Sequence, residues 1–320
     1  MLRLAMTTRA ETFERVREPL ADRGIAVGHL QATSRALPLT DVATADDAAS
    51  LVDSDRFDVG FVYPGRLMEG AALDARLEIP WVNDRAAVLT SRNKGGVIAA
   101  LDAADIPVPR TVMVSNPADE SVVVDAVSRL SFPVVVKPNS ATRGVGVAKA
   151  GDLDSLLGIV DYLELIHDFR ATGDKSYLLQ EFLPAARDYR AMVIDGDCVG
   201  GVERRLPDVP GDVGDTDVGV GNTDVALDET DASGGRWKHN VHRGAEATGV
   251  DLPEPHRRLA ERAAAELGVP YLGVDLLETD DRLVVNETNA RPTIDEKTKY
   301  EPDFYDRLAR LIRETAAGSR

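Results

Sequence analysis

Two acidic stretches near the C-terminus carry the residues best suited to chemistry. In "LVVNETN", Leu283, Val285, Glu287 and Asn289 alternate onto one face of a strand, and in "YLGVDLLE", Tyr271, Gly273, Asp275 and Leu277 do the same. An odd-numbered connection, such as Asp280-Asp281-Arg282, sets Asp275 directly opposite Glu287. A two-residue turn would instead pair Asp275 with Asn286. Two carboxylates and an amide oxygen held together repel unless a cation sits among them, and hard oxygen donors of this kind suit Mg²⁺. The plain alternative is a solvated acidic hairpin.

The stretch "FPVVVKPNSATRGVGVAKA" (132–150) places Lys137 at the mouth of a loop rich in Gly, Ser and Thr, between two β-branched runs. Backbone N–H groups around Gly144, Val145 and Gly146 can close on phosphate oxygens, with Lys137 adding a point charge. GxxxxGK[ST] is absent, so this is no Walker A loop, and a hairpin with a generous turn is the alternative. In "LLQEFLPAARDYR", Glu181 and Phe182 end a strand and could meet a base edge, while Asp188 could take ribose hydroxyls. In "RWKHNVHRGAEA", Lys238, Asn240 and Arg243 are donors suited to phosphoryl or carboxylate oxygens. His239 and His242 lie three apart, but with no cysteine nearby and no third histidine in reach a zinc site is not expected.

These residues need elements to position them. The first ~85 residues alternate strand and helix, which implies a small parallel sheet with helices on its faces. No GxGxxG follows the first strand, so a dinucleotide site is not expected there. A helix begins within 90–111, with Ser91 as cap and Val97, Ile98 and Leu101 at helical spacing. Strand "TVMVS", helices over 117–130 and 152–168, and strands "SYLLQEFLP" and "YRAMVID" follow. The Gly/Asp-rich run between Arg205 and Arg236 reads as a flap or long loop. A helix 254–267 stops at Gly268, the acidic hairpin comes next, and a last helix runs from about 303 to 315.

Composition narrows the class. The chain has 320 residues, enough for two or three packed lobes. A single cysteine, Cys198, excludes an intrachain disulfide and reads as a small buried side chain. No apolar run approaches the ~18 residues that span a bilayer, and the N-terminus lacks an apolar leader core, so a soluble, cytoplasmic protein is expected. A net charge of -17 excludes nucleic acid or anionic membrane as a main partner. Only seven of the 37 basic residues are lysines, a composition suggestive of salt (halophilic) adaptation, which makes each lysine beside a candidate site more informative.

Taken in order, Lys94, Lys137 with its glycine loop, Glu181-Phe182, Asp188, Lys238-x-Asn240-x-x-Arg243, Asp275 and Glu287-x-Asn289 resemble the ATP-grasp superfamily. Within it the match is closest to RimK-like amino-acid (alpha-L-glutamate) ligases, through "NxHRG", "GVD…ExNA" and the "ERR" at 203–205. The resemblance covers roughly residues 88 to 315. It implies an α/β pre-ATP-grasp lobe over 1–87, a central α+β lobe over 88–180, and a C-terminal lobe over 181–320, with the nucleotide between the last two. By analogy Lys94 and Lys137 hold the α/β-phosphates under residues 140–147, Thr142 to Gly146 among them. Glu181 accepts from the adenine amino group, the backbone at Phe182 and Leu183 reads the ring edge, and Asp188 binds ribose. Lys238, His239 and Asn240 join the nucleotide site. Asp275, Glu287 and Asn289 hold two Mg²⁺ ions, or Mn²⁺.

The implied activity is ATP-dependent amide formation, adding glutamate or another amino acid to a small molecule or a protein tail. A carboxylate attacks the γ-phosphate, ADP leaves, and an amine displaces phosphate from the acylphosphate. Arg190, Arg243 and Lys238 are the candidates for gripping the acyl group and its oxyanion. The family further implies a possible homo-oligomer, dimer or tetramer. Within the class, lysine-biosynthesis carrier-protein ligases, deazaflavin or pterin glutamate ligases and glutathione-synthetase-like enzymes are alternatives. A non-catalytic ATP-binding regulator is the alternative outside it. Two departures bear on substrate: "NxSPG" is here "NARPTIDEKTK", and "HRGG" is here "HRGAEA".

Overall fold

The computed structural model describes residues 1–8, 11–31, 57–141, 145–168, 174–205, 246–296 and 299–318. Three sheets follow one another along the chain. The first orders β2 (Ile25–His29), β1 (Leu2–Met6), β3 (Val59–Val62) and β4 (Trp81–Asn83), all parallel as expected from the alternation. Helix α1 (Glu11–Ala21) covers it with Phe13, Val16 and Leu20, spaced to lie on one face. Helix α2 (Leu67–Leu77) leads into β4.

The expected single helix after residue 90 is two helices. Helix α3 (Arg85–Arg92) is capped by Asp84, whose carboxylate accepts from Ala87 N at 2.8 Å. Helix α4 (Lys94–Ala103) is capped by Asn93, whose Oδ1 accepts from Gly96 N at 3.0 Å. Asn93 therefore ends one helix and starts the next, and Ser91 is not a cap.

The second sheet, antiparallel, orders β5 (Thr111–Ser115), β8 (Ser176–Glu181), β6 (Val134–Pro138) and β7 (Ala148–Ala150). Helices α5 (Glu120–Val127) and α6 (Leu153–Asp168) flank it in sequence. Val134, Val136, Tyr177 and Leu179 pack in a core with Val123 and Leu156 from these helices, which leaves Lys137 and Gln180 to the opposite face.

The third sheet orders β11 (Glu246–Gly249), β10 (Asp197–Arg205), β9 (Arg187–Ile194), β12 (Tyr271–Glu278) and β13 (Leu283–Asn289), again antiparallel. One face is apolar throughout and packs Ala191, Val193, Leu272, Val274 and Leu276 against α4 and α7 (Glu254–Leu267). Cys198 is buried on this side, as its surroundings suggested. The other face changes character along β9: Met192 and Ile194 join the core of the first sheet, while Asp188 and Arg190 carry charge. Helix α8 (Phe304–Ala316) returns to the first sheet, burying Phe304, Leu308 and Ile312 against it. Among the described residues no helix is long and apolar enough to cross a membrane.

Candidate active site

The acidic hairpin forms, but by a different route from the one its spacing suggested. Glu278 pairs with Leu283, so residues 279–282 make an even connection, which alone would set Asp275 opposite Asn286. A β-bulge takes up Asn286 as an extra residue, and Asp275 pairs with Glu287 and Gly273 with Asn289. The bulge also breaks the expected shared face of β13. Val285 packs with Leu276 in the apolar core, whereas Glu287, facing Asp275, stands on the charged side.

On that side four charged groups interlock across three strands. Arg190 Nε and Nη2 donate to the two oxygens of Asp275 at 2.6 and 2.9 Å. Arg204 Nη2 lies 3.1 Å from Asp275 Oδ2 and 2.5 Å from Asp188 Oδ1. Burial alone would raise the Asp275 pKa, but the two guanidiniums bring it down to about 2. Asp188 moves the other way, lifted to about 7 by burial with Asp275 adding to it, against the pull of Arg204. Sequence reasoning named Asp188, Arg190 and Asp275 but not Arg204; its signal was the central arginine of "ERR", opposite Asp188 in the strand register.

The lysines reach this neighbourhood from α4 and β6. Lys94, at the first turn of α4, places Nζ 3.3 Å from Glu287 Oε1 and also donates to the Ala141 carbonyl. It thereby joins β13 to the start of the glycine loop. Lys137 is buried, and its Nζ donates to Gln180 Oε1 at 3.0 Å. Burial drops its pKa to about 8, Lys94 adding to the drop and Glu287 and Asp275 opposing it. Lys94, Lys137, Asp188, Arg190, Asp275 and Glu287 therefore form one electrostatic neighbourhood, with Asn289 at its edge.

Glu181 is bridged to the same hairpin at its turn. Its carboxylate accepts from Arg110 N at 2.7 Å and Arg110 Nε at 3.1 Å, and Arg282 Nη2 lies 2.7 Å away. Phe182 lies beneath Lys149, whose Nζ is 5.0 Å from the ring centroid, a third lysine beside the site and one not singled out from the sequence. Leu183 is half-buried and Val145 exposed. Gly146 has φ +74°, and a Cβ there would meet Pro138 Cγ at 2.8 Å, so only glycine fits this approach to β6. Thr142, Gly144, Lys238, His239, Asn240, Arg243 and the 206–235 segment lie outside the described residues.

The oxygen donors suit a hard divalent cation. Glu287 is the open one, its side chain 38% exposed, and Asn289 Oδ1 accepts, among the described residues, one bond, from Arg291 N at 2.8 Å. Asp275 has both oxygens engaged by arginines, Oδ2 by two of them, so among the described residues only Oδ1, with its single donor, keeps a second lone pair. At the far end of β13 the chain is pinned from two sides. Ser91 Oγ donates to Thr288 O at 3.0 Å and accepts from Ala290 N at 2.8 Å. Asn83 Nδ2 donates to Tyr271 O at 2.6 Å and Ala290 O at 2.7 Å.

Residues 91–211 and 217–311 match the RimK-like ATP-grasp domain, more than half of the chain. The chain belongs to the RimK-like ATP-grasp family. A probable alpha-L-glutamate ligase of Mannheimia succiniciproducens is 29% identical over 70% of this chain and 64% of that one. Its counterpart from Shewanella halifaxensis is 25% identical over 73% of this chain and 44% of its own length. The chain thus spans less than two thirds of these curated relatives. Among solved structures, a RimK domain ATP-grasp protein of Sphaerobacter thermophilus aligns over 98% of both chains with TM-score 0.62 and 23% identity. D-alanine–D-alanine ligase from Bacillus anthracis complexed with ATP aligns over 100% of this chain and 98% of that one, with TM-score 0.62 and 15% identity. The fold is that of the ATP-grasp ligases, as the ordered residues implied.

Proposed function

We propose that the RimK-like protein is an ATP-dependent, ADP-forming carboxylate–amine ligase acting with Mg²⁺. The observation that carries this reading is Lys94, which ties the start of the glycine loop to Glu287 and, with Lys137, sets two lysines against the carboxylates of Glu287 and Asp275. Lysines at that mouth neutralise nucleotide phosphates, and Glu287 and Asn289, backed by Asp275, would hold the metal, which offsets phosphate charge when bound. Glu181 and Phe182 lie at the end of β8 where a base would rest, and Asp188 is the candidate ribose acceptor.

The reaction follows from these parts. A substrate carboxylate oxygen attacks the γ-phosphorus, the bond to the β-phosphate oxygen breaks, and ADP leaves. A neutral amine then attacks the acyl carbon, phosphate departs with the bonding pair, and the nitrogen loses its proton. Neither step needs a protein nucleophile; both need positioning and charge neutralisation. Arg190, fixed by Asp275, and Arg243 are the candidates for gripping the acyl oxyanion. The curated relatives' printed name, alpha-L-glutamate ligase, supports glutamate as the amino acid added. The acidic, arginine-rich composition supports salt adaptation, and a pair of metal ions would suit a triphosphate.

The test is ADP release with Mg²⁺ at high salt across single amino acids paired with candidate carboxylates. Release that needs both an acid and an amine, and that Glu287→Gln abolishes, is the expected result. Tight ATP binding without ADP release for any pair, repeated with cell extract, would make the protein an ATP-binding regulator instead.

A further inference from the structure

Just past the C-terminal end of β13, two guanidiniums converge on one turn. Arg92, the last residue of α3, donates from Nη2 to Gly65 O at 2.8 Å. Arg291, two residues beyond Asn289, donates from Nη1 to Tyr63 O. A Cβ added to Gly65 would lie 3.4 Å from Arg291 Cζ, so the turn packs directly against the guanidinium. Among the described residues neither arginine meets a carboxylate, although the chain holds 54 acidic residues and Arg190 and Arg204 both end on Asp275. One carbonyl bond each leaves most of their N–H donors uncommitted.

Their place in the chain ties them to the site. Ser91, adjacent to Arg92, bonds Thr288 O and Ala290 N, and Arg291 follows Ala290 directly. The pair therefore stands just past Glu287 and Asn289, rigidly placed by the same contacts that fix those residues. Lysines suit phosphate as point charges; planar guanidinium forks match a carboxylate bidentately.

We propose that Arg92 and Arg291 form a carboxylate-binding subsite that holds the non-reacting carboxylate of an amino-acid-class substrate. This rests on the ligase reading for the substrate's role but not for the binding itself. The probes are L-glutamate, its α-amide and its side-chain amide L-glutamine, titrated calorimetrically with Mg²⁺ and an ATP analogue whose γ-phosphate cannot transfer. We expect wild type to bind glutamate and to lose affinity for one of the two amides. Arg92→Gln and Arg291→Gln should each weaken glutamate binding about tenfold or more, leave binding of the nucleotide analogue unchanged, and erase the difference between glutamate and that amide. Arg291→Lys, which keeps the charge but not the fork, should fall between. Because Arg291 also ties the Tyr63 turn, thermal melts accompany each variant. Lower melting with unchanged glutamate affinity would make the arginines structural and overturn the subsite, as would no binding of any probe by wild type. Substrate-dependent ADP release that ignores both substitutions would likewise sink the subsite and keep the ligase. Arginine-dependent glutamate binding without ADP release would keep the subsite and sink the ligase.

Discussion

Lys137 shows how one side chain's surroundings set a measurable behaviour. It sits buried at the end of β6 with Gln180 as its hydrogen-bond partner among the described residues, and burial lowers its pKa from 10.5 to about 8. The folded value lies below the unfolded one, so its protonation opposes folding: the full cost is present below pH 8 and disappears as pH rises toward 10.5. Binding of a phosphate uses the charged form, so above pH 8 the nucleotide must draw in a proton. ATP affinity should therefore fall between pH 8 and 9.5, with proton uptake visible by calorimetry in buffers of different ionisation enthalpy. Lys137→Arg, charged throughout, should flatten the profile; an unchanged profile in that variant assigns the titration elsewhere. This residue was legible because lysine is scarce in the chain and this one precedes a glycine loop. Arg204 was not singled out, since nothing in "ERR" says which arginine a strand turns inward.

Strands and helices decide whether such residues meet. Ser91, Arg92 and Lys94 lie within four positions yet reach β13, the Gly65 turn and the glycine loop, because Asn93 breaks the path between α3 and α4. Helical periodicity sees apolar spacing and reads one helix; the break depends on Asn93 capping α4 and on Asn139 Oδ1 accepting from Gly95 N at 2.8 Å. The hairpin pairing was legible in outcome, not in route, because a bulge adds one residue and reverses the parity argument drawn from turn length. Asn83 gave no signal at all, since its role is backbone pairing with segments nearly two hundred residues away. It is fully buried, and besides its two donated bonds its Oδ1 accepts from Tyr271 N at 3.1 Å. Asn83→Ala strands three buried backbone groups, at about 1–3 kcal/mol each when left unpaired. A loss of at least about 3 kcal/mol in urea unfolding is expected, together with weaker Mg²⁺-dependent ATP binding, because the end of β13 loses one of its two anchors. Destabilisation with metal dependence intact would show that Ser91 alone suffices to hold Asn289.

At the scale of the whole molecule the net charge of -17 poses a question of sign. Salt weakens favourable surface pairs such as Arg17–Glu14, Arg129–Asp125 and Arg258–Glu254, which span one helical turn with both partners exposed. Such pairs contribute about 0–1 kcal/mol each, so their loss is small. The buried set around Asp275 is shielded from ions and changes little. Salt also screens the mutual repulsion of 54 acidic groups against 37 basic ones, a long-range effect that acts throughout the folded surface. That relief outweighs a few exposed pairs, so the melting temperature should rise with KCl. The shape of the rise identifies the cause. The screening length falls from about 10 Å at 0.1 M to about 3 Å at 1 M, so charge relief is nearly complete by roughly 0.5 M. Strengthened apolar burial instead grows steadily with salt and depends on the anion. A steep early rise that levels off, equal for chloride and sulfate at matched ionic strength, is the expected result. A melting temperature that falls over the first half-molar would mean that local ion pairs, not net repulsion, govern this acidic surface.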